Sequence, residues 1–289
     1  TFTGTFGTGA TMTAADTIID ASTSDSDTLT LTGAAFGNSA DTSVATFTNI
    51  ETVNVVFDTL TNATLDAAGI TSAATINASN VRDGSGAALT VTNITDGSTL
   101  NISDFNTVTN PTADAGGDLT LNANSATGSV TGTVSTDGVL TVNAAAATGT
   151  VRGDSATGDV TINGAAATAL TANSTSGDIT VTGAANANVN AVSTAAGNIT
   201  VTTALADNVT ATTTGAGTVT VTGEGDTTMA VTARTSTVTL SANDAVNNAT
   251  VTATGTGAGL DTDTLNVTSG DDFTIANQAG DVVEAVNVT

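Results

Sequence analysis

The 289-residue sequence lacks cysteine, histidine, lysine, tryptophan and tyrosine. Without cysteine, disulfides and thiolate metal sites are excluded. Without histidine, lysine and tyrosine, most general bases and nucleophiles are missing, so we expect no enzyme. Proline occurs once, at Pro111, and the seven phenylalanines are the whole aromatic content. Because a large globular core normally uses several large aromatic side chains, this composition predicts a thin, repetitive interior.

Basic residues are almost absent as well. Arg82, Arg152 and Arg234 stand against 27 acidic residues, which gives a formal net charge of −24 at pH 7. Three arginines cannot build the basic patch that neutralises phosphates, so we exclude nucleic acid as a partner. An anionic membrane surface would repel the chain, and there is no apolar run of about 18 residues, so we expect no membrane insertion. The natural partners of such a surface are cations.

One pattern recurs about every 20 residues: an apolar residue, Thr, an apolar residue, then Asn, Thr or Ser. Across seven copies between residues 119 and 241 the Thr residues are 21, 20, 19, 20, 20 and 19 positions apart. A second strand-like segment follows each copy by about ten residues. A repeat this short buries a core only by stacking on its neighbours. The sequence therefore predicts an all-β fold, a parallel β-solenoid (β-helix) with about two strands per coil of about 20 residues.

The strands alternate with a period of two residues. This sends Leu119 and Leu121 into the core and Thr120 to the surface. The outward rows of Thr from residue 180 onward are typical of strands with an exposed face, which is the interpretation we favour. Ice-binding solenoids display such rows too, so an ice-binding surface is the alternative.

Glycine followed by Asp or Asn marks the corners. If the register is right, Asp159, Asp178 and Asn198 lie on successive coils, about 4.8 Å apart. Two carboxylates at that spacing repel each other. The stack therefore needs a cation or, as we favour, solvent between its members.

The two ends carry a second, longer repeat. An Asp-Thr-Leu strand at 27–33 is followed by Ile-Glu-Thr-Val-Asn-Val at 50–55, and 263–268 is followed by Val-Glu-Ala-Val-Asn-Val at 283–288. From Asp to Glu the separation is 24 residues in the first case and 21 in the second. We predict three parts: an irregular β cap at 1–60, the solenoid at 61–256, and the start of a following repeat module at 257–289.

Dense groups of aspartate predict metal sites. The first group is Asp16, Asp20, Asp25 and Asp27, and the second is Asp261, Asp263, Asp271 and Asp272. Carboxylate oxygens are hard ligands that suit Ca²⁺, so we predict calcium as the bound ion. The alternative role of these aspartates is local hydrogen bonding within turns.

The paired Asp-x-Leu and Ile-Glu-x-Val-Asn-Val strands, with filler rich in Thr, Ala, Gly and Val, resemble bacterial surface-layer proteins and RTX-type exported proteins of Gram-negative bacteria. Residues 15–21, Ala-Asp-Thr-Ile-Ile-Asp-Ala, are similar to an RTX turn, in which Asn-Asp-Thr-Ile-Asp-Gly is usual. The full Gly-Gly-x-Gly-x-Asp nonapeptide is nowhere in the sequence. The resemblance implies calcium dependence, export by a type I route and display on the cell surface.

These observations lead to a functional expectation. We expect a structural protein of the bacterial cell surface, extracellular and S-layer-like, which calcium stabilises and which assembles with copies of itself into an array or filament. Cell-surface polysaccharide is a further candidate partner. The alternative function is a stalk or passenger segment of a large RTX-type adhesin that binds a surface, a host or ice.

Overall fold

The computed structural model describes residues 1–13, 16–22, 25–34, 38–72, 74–81, 87–95, 97–105, 107–109, 112–113, 118–135, 137–185, 188–205, 208–213, 217–223, 228–233, 237–242, 248–253, 264–268, 273–277 and 285–288. It describes side chains as far as residue 222. The chain forms two compact units, Thr1–Gly149 and Thr150–Thr289.

The first unit is built from short β-strands. They are β1 (Phe2–Gly7), β2 (Thr17–Ile19), β3 (Thr28–Ala34), β4 (Ser39–Asp41), β5 (Thr46–Thr48), β6 (Thr52–Phe57), β7 (Ala63–Asp66), β8 (Thr75–Asn80), β9 (Ala88–Thr92), β10 (Ser98–Ser103), β11 (Thr107–Thr109), β12 (Thr112–Ala113), β13 (Leu119–Asn122), β14 (Val130–Val134) and β15 (Leu140–Asn143). A single 3₁₀ turn, Thr42–Val44, is the one helical element among the described residues.

The second unit continues in the same style. Its strands are β16 (Thr150–Ser155), β17 (Val160–Gly164), β18 (Ala169–Ser174), β19 (Ile179–Ala185), β20 (Asn188–Ser193), β21 (Ile199–Leu205), β22 (Asn208–Thr213), β23 (Val219–Gly223), β24 (Thr228–Ala233), β25 (Thr237–Ala242), β26 (Asn248–Ala253), β27 (Thr264–Thr268), β28 (Phe273–Asn277) and β29 (Ala285–Val288).

Alternate strands along the chain belong to two different sheets, which confirms the predicted β-solenoid. In the first unit one sheet has the order β1-β3-β6-β8-β10-β13-β15, and the other runs β4-β7-β9-β11-β14 with β12 beside β14. In the second unit the odd-numbered strands β17 to β29 form one sheet and the even-numbered strands β16 to β28 the other. Neighbouring strands are parallel, and Thr161, Thr180 and Thr200 pair across successive coils, as the repeat predicts.

The predicted boundaries at residues 60 and 256 remain a prediction. Strands on both sides of each boundary pair in step, Val53 with Ile76 at the first and Val238 with Leu265 at the second. The two long-range repeats share one register as well: Leu29 pairs with Val53, and Leu265 pairs with Val286. The Asp-Thr-Leu strand and the Val-Asn-Val strand are thus neighbours at both ends.

The core is the narrow space between the two sheets of each unit. Leu119 and Leu121 are buried while Thr120 is half-buried on the outer surface, as the alternation predicts. Burial of apolar surface stabilises the fold by about 25 cal/mol per Å². Because a single coil is too short to bury its own apolar side chains, this stabilisation comes mainly from contact with the coils above and below it.

The coils nearest the N-terminus are longer and have a third side. Register partners are 24, 23 and 24 residues apart from Leu29 to Leu100, but 21 apart from there to Val142. The extra residues form the parallel pair of β2 and β5, which an isolated bridge from Phe47 to Ile70 extends. A longer coil encloses a wider interior, and large side chains occupy it: Phe6, Phe57 and Phe105 are buried and meet edge to face.

At one corner of the second unit, each coil has a Ser or Thr that is followed three or four residues later by a Gly. The Ser155 hydroxyl accepts the Gly158 N–H at 3.0 Å, and the Ser174 hydroxyl accepts the Gly177 N–H at 2.9 Å. In the next coil Ser193 precedes its glycine by four residues instead of three. Its buried hydroxyl has no hydrogen-bond partner, and neither has that of Thr213 one coil later. The difference between coils of 19 and 20 residues therefore lies in the length of this turn.

Candidate metal centre and outward-facing ladders

Three of the four aspartates predicted near the N-terminus come together. Asp20 follows β2, Asp27 precedes β3, and Asp25 lies in the connection between them. Each offers a carboxylate oxygen, and these atoms all lie within 4.8 Å of one another. Asp25 is exposed, whereas Asp20 and Asp27 are half-buried. We call these three residues the aspartate triad.

Neighbouring strands hold the triad in place. The Asp20 N–H donates to Thr48 O at 3.1 Å, and the Asn49 side chain donates to Asp20 O at 3.1 Å. The Asp27 N–H donates to a carboxylate oxygen of Glu51 at 2.7 Å, which brings a fourth acidic side chain close. One oxygen of Asp27 also lies 3.5 Å from the Thr1 ammonium group. The next coil thus positions the backbone that presents these carboxylates.

The triad is electrostatically strained. Partial burial, and after it the negative charge of Asp25 and then of Asp27, raise the pKa of the Asp20 carboxyl above its usual value. A cation would relieve this repulsion. The donor set fits Ca²⁺, which takes six to eight hard oxygen ligands, because three carboxylates leave room for backbone carbonyl groups and water. Calcium would supply charge neutralisation here and a link across residues 20–27.

The remaining predicted ligands are elsewhere. Asp16 is not part of the triad, and its carboxylate accepts the Thr13 N–H at 2.7 Å within a local turn. The second predicted group, Asp261, Asp263, Asp271 and Asp272, lies outside the described residues.

The corner stack of Asp159, Asp178 and Asn198 exists, but backbone groups link its members. Asp159 accepts the Asp178 N–H at 2.8 Å, and Asp178 accepts the Asn198 N–H at 2.8 Å. Asn198 in turn accepts the Thr218 N–H at 2.9 Å. Each side chain thus accepts a backbone donor of the next coil, and these hydrogen bonds hold the stack together. The expectation of solvent or a cation between the carboxylates remains a prediction.

A second ladder was not anticipated from the sequence. Asn54, Asn77, Asn101, Asn122 and Asn143 occupy the same outward position of successive coils in the first unit. From Asn77 onward, the Nδ2 of each donates to the Oδ1 of the asparagine before it, at 2.8, 2.8, 2.8 and 2.7 Å. The signal in the sequence was the recurrence of Asn at one position of the repeat.

No protein family, curated protein or solved structure matches this chain. Its function must therefore be argued from its own residues. The described part of the chain contains no helix suited to crossing a membrane. The single basic side chain among the described residues, Arg152, pairs with Asp154 on the outer face of β16, where the carboxylate raises the pKa of the guanidinium group.

Proposed function

We propose that this chain is a structural protein of a bacterial cell surface: an extracellular, S-layer-like β-solenoid that calcium stabilises and that assembles with copies of itself into an array or filament. The observation that carries the proposal is the in-register stacking of short coils. Side-chain ladders reinforce this stacking, including the amide ladder from Asn54 to Asn143. Such a stack provides length, regular surfaces and rigidity from a simple repeat.

The composition supports a scaffold rather than an enzyme. The chain has no histidine, cysteine, lysine or tyrosine, and the Ser174 hydroxyl and the amides of the ladder are engaged in holding coils together. Acyl transfer, phosphoryl transfer and proton abstraction all need an activated nucleophile or a general base. Carboxylates are the only abundant ionisable groups, and they suit calcium binding and turn formation better.

The calcium part of the proposal rests on the aspartate triad. A ligand present at 100 times its Kd stabilises the protein by about 2.7 kcal/mol, which for a unit of this size raises the melting temperature by roughly 5–10 °C. We therefore expect calcium to raise the melting temperature of the first unit and the chelator EGTA to reverse this. An Asp25→Asn variant should lose the response.

The matched control is Asp16→Asn, which removes one nearby negative charge without altering the triad. It should respond to calcium as the wild type does. An unchanged melting temperature in the wild type, or an equal response in both variants, would refute calcium binding by the triad.

Assembly is tested separately, by electron microscopy of the purified chain at high concentration with calcium and with EGTA. Sheets or filaments in calcium would support the structural function. Particles that stay dispersed in both conditions, across a wide concentration range, would refute it.

The alternative function is a stalk or passenger segment of a large adhesin. One observation favours it: a groove of about 360 Å³ runs beside the amide ladder. Its lining combines Asn77, Asn101 and Asn122 and the neighbouring Ser79 and Ser103 with the apolar residues Ala78 and Ile102. Amide and hydroxyl groups are the uncharged donors and acceptors that recognise sugars. Retention on a column of neutral polysaccharide, lost in an Asn101→Leu variant, would support this alternative, and the absence of retention would count against it.

A further inference from the structure

Two columns of threonine face outward from the second unit. Thr161, Thr180, Thr200 and Thr220 pair in one column along β17, β19, β21 and β23. Two residues along each strand, Thr182, Thr202 and Thr222 form the other column, with Asn163 at its start. We call this surface the threonine face. Thr180, Thr182, Thr200, Thr202 and Thr222 are exposed.

The threonine face differs from the ladder surfaces in hydrogen bonding. In the amide ladder of the first unit, neighbouring asparagines engage one donor and one acceptor site of each inner side chain. Among the described residues, Thr182, Thr202 and Thr222 have no such partners. The hydroxyl groups of Thr182 and Thr202, whose neighbours in the column are described, remain available to a molecule outside the chain.

We propose that the threonine face is a lateral contact between copies of this chain, which rests on the proposed self-assembly and names the surface that carries it. Threonine hydroxyl groups both donate and accept hydrogen bonds. A row of them can therefore pair with an identical row, as the self-complementary interface of a two-fold arrangement requires. A row of carboxylates could not do this, because it offers acceptors only.

Net charge restricts where copies can meet. A chain of formal charge −24 repels its own copies, and burying an unpaired carboxylate between them is costly. The outward positions of the threonine face carry no ionisable side chain. Among the described residues, Asp159 and Asp178 are the carboxylates next to these strands in sequence, and each accepts a backbone N–H of the following coil. Through the described positions of this face, two copies can therefore approach without burying a charge.

The size of the face sets the strength of the contact. Strands are about 4.8 Å apart and residues two positions apart are about 6.6 Å apart, so the described face covers on the order of 200 Å². A stable pairwise interface needs about 800 Å² on each partner. A single contact is therefore weak, and association becomes strong only where many repeats meet, as in an array.

Because the chain has no cysteine, a single introduced cysteine reports this contact directly. Thr202→Cys places one thiol at the centre of the face, and Thr182→Cys places one in the same column a coil earlier, so the test does not depend on one substitution. The control is Thr210→Cys, at an exposed position on the outer face of β22 in the other sheet. Each variant is treated with a short bismaleimide at a concentration where the wild type assembles in calcium.

Rapid covalent dimer formation by Thr202→Cys and Thr182→Cys, with Thr210→Cys at the level of random collision, is the expected result. Equal cross-linking of all three variants, or cross-linking of the control alone, would overturn the proposed contact while leaving self-assembly intact. A wild type that never assembles would overturn both. A chain that stays monomeric but reshapes growing ice crystals would show that ordered water, rather than a second copy, is the partner of this face.

Discussion

A close approach between backbones at one corner of the second unit gives the sharpest test of the fold. A Cβ atom added to Gly177 would lie 2.1 Å from Gly158 O, 2.2 Å from Gly158 C and 2.6 Å from Asp159 N. These are backbone atoms of the preceding coil, so no side-chain rotation relieves the clash. Gly177→Ala must therefore push two stacked coils apart.

Two opposing effects set the change in the free energy of unfolding that Gly177→Ala causes. The backbone of Gly177 is not in the left-handed region, so alanine adopts it without conformational strain, and the less flexible unfolded chain favours the variant by about 0.4–1 kcal/mol. Overpacking costs typically 1–3 kcal/mol, and the upper end applies when backbone must move. We expect a net destabilisation of about 2 kcal/mol, which lowers the melting temperature by roughly 4–8 °C in a unit of this size.

Thermal unfolding followed by circular dichroism measures the change in melting temperature, and hydrogen exchange shows which coils are destabilised. Stability in stacked repeats is a sum of neighbouring terms, so exchange should accelerate most in the coils on either side of residue 177. The control is Thr175→Ala, at an exposed position of the same turn, which should stay within about 0.5 kcal/mol of the wild type. If Gly177→Ala melts with the control, the coils are not in the described contact and the reasoning fails.

Three further predictions concern the amide ladder, the Ser–Gly corner of the second unit and the aspartate triad. Asn101→Ala removes two hydrogen bonds from the amide ladder, at about 1 kcal/mol each, so urea unfolding should show a loss of about 2 kcal/mol that Thr99→Ala does not show. Ser174→Ala removes a hydroxyl with two backbone partners and should cost about 1–3 kcal/mol, whereas Ser193→Ala removes one without a partner and should be neutral or stabilising; equal effects would contradict the described corner. Without calcium, the raised pKa of Asp20 means that this carboxyl keeps its proton to higher pH in the folded state than in the unfolded chain, so its contribution to stability is lost as pH rises through that pKa. The melting temperature of Asp20→Asn should therefore lie above that of the wild type at pH 7 and approach it on acidification. A difference in melting temperature that does not change with pH would refute the assignment.

The regular part of the fold could be predicted because the chain repeats itself. Spacing alone placed Thr161 beside Thr180 and Thr200, since a slip of one residue would turn the buried apolar residues of a strand to the outside. The third side near the N-terminus could not be predicted in this way. The pairing of β2 with β5 depends on three-residue strands whose sequences carry no repeat signal.

The site was predictable only in part, for a related reason. Density of aspartate drew attention to Asp16 and Asp20 equally, but density does not say which carboxylates converge. That depends on the turn that uses Asp16 locally and on the strand end that fixes Asp20. The amide ladder was missed because its hydrogen bonds connect residues more than 20 positions apart, and they become visible only once the register is known.

The turn that precedes Gly177 in one coil and Gly197 in the next has a consequence for how such a gene can change. The turn takes one residue more in the later coil, and Ile179 and Ile199 nevertheless remain partners. A mutation that inserts a single codon in this turn leaves the inward and outward faces of both flanking strands unchanged. Its cost is one buried hydroxyl group without a hydrogen-bond partner, as at Ser193. Within a strand, the same insertion would exchange the buried and exposed faces for the rest of that strand. This turn is therefore a position of the repeat where one additional residue changes neither the pairing of the strands nor the faces that they bury.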